Sequence, residues 1–158
     1  MMKAVVLIDC WQNPQSVIGH PRAQHLPWLD VQHQLFYELI KSELLLLDTE
    51  QFDIYTNETA HPISEHLNHY PTINIHQLTD YEHVYLAGCH LNKCIEGYSK
   101  QLTNLHNIPN SVVLNWSKSL DTTDDPVKLL GNHNYVWITG NRVESIKTAR
   151  TPKKRRKT

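Results

Sequence analysis

No stretch of this 158-residue sequence approaches the roughly 18 consecutive apolar residues a membrane-spanning helix needs, and the longest runs lie at residues 5–8 and 44–47. No membrane partner is therefore expected. Cysteine is scarce and odd in number: Cys10, Cys89 and Cys94 have neither the even count nor the density of a disulfide scaffold. Reduced thiols and a cytoplasmic location are expected, or a nuclear one in a eukaryotic host. Glycine numbers only five, and none of it forms a Gly-x-Gly-x-x-Gly or Gly-Lys-Ser/Thr phosphate loop. That sets aside a generic nucleotide-binding reading. The opening Met1-Met2-Lys3 leads into an apolar stretch too short for a secretory signal. There is no internal repeat. What is present, 40% hydrophobic and 20% charged residues in regular apolar runs, excludes disorder over most of the length. It fits a single globular domain over residues 1–146.

Near-neutral net charge conceals a split. Seven of the 15 basic residues (Lys147, Arg150, Lys153, Lys154, Arg155, Arg156 and Lys157) fall between Lys147 and Thr158, with no acid among them. The preceding 146 residues hold the other eight against all 16 acids. Such a tail has nothing to bury and is expected to be a mobile extension. It suits phosphates of a nucleic acid, an import receptor, or the acidic body of another subunit in a homo-oligomer.

Residues 3–9 form a continuous apolar run ending in Asp9, the pattern of a central parallel strand whose last residue emerges at the carboxyl edge. Residues 27–47 carry Leu29, Leu35, Phe36, Leu39, Ile40, Glu43 and Leu47 at helical spacing, with Asp30 suited to the first turn. Further strands are expected at 52–56, 72–78, 83–88, 111–116 and 135–139. Two helical turns are expected at 63–69, a helix at 94–105 with Ile95, Tyr98, Leu102 and Leu105 on one face, and a loop with a short helix at 121–131. Repeated strand–helix alternation predicts an α/β fold, a three-layer α/β/α sandwich around a mostly parallel, Rossmann-like sheet. Ligands in such sheets sit beyond the carboxyl ends of strands, near the switch in strand order. Asp9, the loop 57–69 and the turn 88–94 converge there.

Cys94 opens a helix after a buried strand, where the positive end of the helix dipole and Lys93 favour the nucleophilic thiolate. Asp9 at a neighbouring strand end is placed to take a proton from the thiol or from water. The backbone N–H groups of the 88–94 turn offer an oxyanion hole. The plainer alternative is that a free cysteine is a small buried hydrophobe. Trp11 and Gln12, just after Asp9, and Cys89 and His90, inside the turn, are the candidate substrate contacts.

The segments Leu7-Ile8-Asp9-Cys10-Trp11-Gln12-Asn13 and Tyr85-Leu86-Ala87-Gly88-Cys89-His90-Leu91-Asn92-Lys93-Cys94-Ile95-Glu96 resemble those of isochorismatase-like cysteine hydrolases. In that family a strand ends in an acid, and a nucleophilic Cys follows a strand-ending Gly by six residues. Ser111-Val112-Val113-Leu114-Asn115 resembles the next strand. The resemblance implies a Rossmann-like α/β/α fold, oligomers, and an Asp-Lys-Cys triad that hydrolyses amides or vinyl ethers. Asp9 and Cys94 map onto two members. No lysine lies between Lys41 and Lys93, and the nearest equivalent stretch offers His76 as a cation or proton shuttle. Related nicotinamidases carry Asp-x-His after the second strand, where this sequence has Thr59-Ala60-His61. His61, Glu65, His66 and His69 contain donors suited to zinc, set against a solvated polar helix.

Two functions follow. One is a hydrolase of a small molecule, with Cys94 as nucleophile, Asp9 as base and His76 in the third role. The other is a catalytically inactive protein of the same fold, acting in assembly or binding with its basic tail on nucleic acid or another acidic partner.

Overall fold

A computed structural model of the chain describes residues 2–14, 29–91, 93–119 and 134–146. The expected loop and helix at 121–131 and the basic tail lie outside the described residues. Seven strands form one sheet: β1 (Lys3–Ile8), β2 (Phe52–Asn57), β3 (Thr72–Ile73), β4 (His83–Cys89), β5 (Asn110–Lys118), β6 (Tyr135–Thr139) and β7 (Arg142–Ser145). Among the described residues two helices accompany them, α1 (Leu29–Leu44) and α2 (Cys94–Asn104), with a short 3-10 helix at Ile75–Leu78. The order is β3-β2-β1-β4-β5-β6-β7, every pairing parallel except the last. The fold is α/β, as the alternation predicts.

β1 sits at the centre because its apolar residues are buried on both sides, from Ala4 to Ile8. Successive side chains of a strand face opposite ways, which divides the core in two. Val5 and Leu7 pack in one cluster with Tyr37, Ile40 and Leu44 of α1. Ala4, Val6 and Ile8 pack in the other with Ile95 and Leu102 of α2. Each fully buried Val, Leu or Ile contributes on the order of 2 kcal/mol of transfer free energy, so the strand carrying Asp9 is anchored from two sides.

Three expectations change in detail. The inward face of α1 is His33, Tyr37, Ile40 and Leu44, whereas Leu35 and Leu39 are 61% and 54% exposed. The 63–69 segment forms turns rather than a helix, with the N–H groups of Leu67 and Asn68 both donating to the Ser64 carbonyl. At 72–78 only two residues pair as a strand before the 3-10 helix begins. There Asn74 is the cap: its side chain accepts from the His76 N–H at 2.9 Å. The hairpin strand β7, joined to β6 through Gly140 and Asn141, has no counterpart in the sequence expectation.

Candidate active site

The strand order reverses between β1 and β4. From β1 the chain builds outward through β2 to β3, then returns to place β4 on the other side of β1. The crevice at such a reversal, beyond the carboxyl ends of both strands, is where open α/β sheets bind ligands. Asp9 leaves β1 there and the Gly88-Cys89-His90 segment leaves β4.

Both exits depend on positive φ. Asp9 has φ 47°, a left-handed conformation that a short polar side chain tolerates better than a branched one. Gly88 has φ 109°, and a Cβ built on it would lie 2.4 Å from the Ile8 carbonyl oxygen and 2.9 Å from the Cys10 sulfur. No side chain fits between the two strand ends, so only glycine lets them close together. The Cys89–His90 peptide that follows is cis.

Asp9 is 8% exposed and fixed by Asn57, the last residue of β2. The Asp9 N–H donates to Asn57 Oδ1, and Asn57 Nδ2 donates back to Asp9 Oδ1, both at 2.9 Å. This reciprocal pair orients one carboxylate oxygen. The same carboxylate is close enough to the Cys94 thiol to help hold its proton in place. An acid and a sulfur 85 positions apart are thus brought near one another at the strand ends.

The surroundings of Cys94 oppose the expected thiolate. Burial, then the hydrogen bond to Asp9 and the carboxylate's charge, push the Cys94 thiol up to about 12. A backbone hydrogen bond from His90 and the charge of Lys93 pull the other way and lose. The helix start and its lysine are outweighed by burial first and then by the neighbouring carboxylate, both of which favour the proton on sulfur. The expected oxyanion hole is also narrowed. The Leu91 N–H donates to the Lys118 carbonyl, and the Lys93 and Ile95 N–H groups to the His90 carbonyl, at 3.0–3.3 Å.

Beside the pair lies a second buried group. His33 Nε2 and His90 Nε2 are 3.1 Å apart, with their rings nearly perpendicular. Burial, first, and then the neighbouring His33 depress the His90 imidazole to about 3. Cys89 is buried and pushed up to about 12, chiefly by burial, against the hydrogen bond with the Tyr37 hydroxyl.

The other candidates fall elsewhere. His76 is exposed and its ring meets His106, two residues past the end of α2. Cys94 is at the other end of that helix, about 15 Å away at 1.5 Å per residue, so His76 is not brought to the pair. Trp11 and Gln12 hold the loop after β2. Trp11 Nε1 donates to Thr59 Oγ1, its ring packs against His61, and Gln12 Oε1 accepts from the Glu65 N–H. The expected metal set His61, His66 and His69 does not converge: His69 stacks on Tyr70 while His61 sits on Trp11. Without a helix at 63–69, helical spacing no longer aligns these side chains. Among the described residues the ligand atoms that converge are those of His33, Cys89 and His90.

Sequence reading missed Asn57 and His33. Asn57 heads the converging 57–69 loop, but nothing in the sequence singles it out as the partner of Asp9. His33 is a polar residue on a helix whose apolar residues fall on more than one face, so periodicity does not single it out. No protein-family profile, curated protein or solved structure matches this chain.

Proposed function

We propose that the chain is an isochorismatase-like hydrolase of a small molecule, cleaving an amide C–N or related bond with Cys94 as nucleophile and Asp9 as base. The observation that carries this reading is the Cys94 thiol neighbouring an Asn57-fixed carboxylate at the strand-order reversal. In the first half-reaction the sulfur attacks the acyl carbon and its proton passes to Asp9. The amine leaves with that proton, giving a thioester. Water then attacks the thioester, Asp9 takes its proton, and the carboxylic acid departs as the proton returns to sulfur. A thiol that rests protonated against its own base suits this sequence, because charge appears only as the bond forms.

The high position of the Cys94 thiol favours a second reading, an inactive protein of this fold acting in assembly or binding, with residues 147–158 on nucleic acid. Incubation with p-nitrophenyl acetate followed by intact-mass and peptide mapping separates the two. The hydrolase reading expects a burst of nitrophenol and one acetyl group on Cys94, both lost in Cys94→Ala, with the release of that acetyl group to water slowed strongly in Asp9→Asn. Acetylation that is absent, or spread evenly over Cys10, Cys89 and Cys94, overturns it.

A further inference from the structure

We propose that His33, Cys89 and His90 form a buried site for a divalent cation of the zinc class, independent of the hydrolytic reading. His33 and His90 each offer an imidazole nitrogen and Cys89 its Sγ, and these three ligand atoms all lie within 4.8 Å of one another. Zinc binds imidazole nitrogen at about 2.0–2.1 Å, so two such ligands of a tetrahedral ion are about 3.3 Å apart. The two nitrogens stand at 3.1 Å, and a shift of a few tenths of an ångström admits the ion. The donor set, two imidazoles and a sulfur, is the mixture zinc prefers over calcium or magnesium, which take oxygen.

The surroundings add to the case. All three side chains are buried, and two complete imidazoles inside a core are an expensive choice unless they bind something or each other. They come from separate elements, His33 from the inward face of α1 and the other two from the end of β4, so folding rather than sequence proximity assembles the set. The Tyr37 hydroxyl lies 3.9 Å from Cys89 Sγ, one helical turn from His33, placed to donate to the sulfur and orient it. Three protein ligands leave a fourth position open.

The test uses the full chain, freed of metal with chelator and then dialysed against zinc or cobalt. One zinc per chain is expected. Cobalt is expected to give the intense visible bands of a tetrahedral ion and a thiolate-to-cobalt charge-transfer band. Cys89→Ser should remove the charge-transfer band, while Cys94→Ser and Cys10→Ser keep it. The double variant His33→Gln/His90→Gln should lose stoichiometric uptake, and the triple variant His61→Ala/His66→Ala/His69→Ala should retain it. Should the buried double variant fail to fold by circular dichroism, the cysteine series decides alone. No uptake by folded protein would reduce the histidine pair to an N–H···N hydrogen bond and overturn the proposal. Uptake lost only in the surface triple variant, or a band that follows Cys94, would overturn it too.

Discussion

Two histidine-bearing regions of this molecule make opposite use of the same side chain. The loop after β2 holds His61, His66 and His69 within nine residues, yet His61 packs on Trp11, His69 on Tyr70, and half-buried His66 lines a cavity with Gln12 and Gln34. His33 and His90 are 57 positions apart and meet nitrogen to nitrogen inside the core. The first region looks like a site on paper because spacing is easily seen. The second exists because the strand order brings the end of β4 beneath the inward face of α1. Convergence in an α/β protein is a property of topology, and clustering along the chain is a poor substitute for it.

The largest effect should come from the strand ends that create the buried region. Gly88→Ala forces a Cβ onto the backbone of β1 and is expected to cost on the order of 3 kcal/mol or more. Gly140→Ala at the exposed hairpin meets nothing within 4 Å and should cost only about 1 kcal/mol, from its positive φ. Equal losses in urea denaturation would mean that the close approach of β1 and β4 is not what glycine serves.

A smaller contrast separates the histidines themselves. His33→Ala leaves a buried nitrogen of His90 without its partner and is expected to destabilise by about 2 kcal/mol. His66→Ala should stay within about 0.5 kcal/mol. The same burial fixes a pH dependence. Because the folded His90 titrates at about 3 rather than at the ordinary 6.5, the unfolded chain binds more protons between those values. Stability contributed by neutral His90 is therefore complete above about 6.5 and drains away as pH falls toward 3. Denaturation midpoints taken across that window should drop with acid, and His90→Gln should flatten the slope. A matching loss of slope in His66→Gln would contradict the contrast.

The finest test sits at the sulfur. Asp9→Asn removes the charge that holds the proton on Cys94 while keeping an oxygen for Asn57 Nδ2. Iodoacetamide at pH 8 should then modify Cys94 several-fold faster than in the parent, even as acetyl turnover falls. Slower alkylation would show that the carboxylate aids the resting thiolate.

Much of this framework was readable in the residues. The apolar run before Asp9 and the run before Gly88 announced two buried parallel strands, and the helix opening at Cys94 followed from its periodicity. Because ligand crevices lie at strand ends, the acid and the sulfur could be paired before any coordinates. The misses share a cause. α1 carries apolar residues on two faces, so periodicity alone could not decide whether Leu35 and Leu39 or His33 and Tyr37 look inward. The partner that fixes Asp9 is a single polar residue at the end of β2, and no spacing rule marks it. β7 escaped because Arg-Val-Glu-Ser has one apolar residue and earns its place by pairing with β6. The charge state of Cys94 required knowing that a carboxylate neighbours it, which only the fold determines.

The margins of the sheet have a consequence of their own. One border is β3, two residues long, and the other is β7, four residues whose Arg142 and Glu144 join in an ion pair at 2.8 Å. A border of bare amides invites strands from other molecules, and short or charged borders repel them. A chain ending after residue 140 would uncover β6 and its half-exposed Trp137, turning a guarded rim into a seed for fibrils.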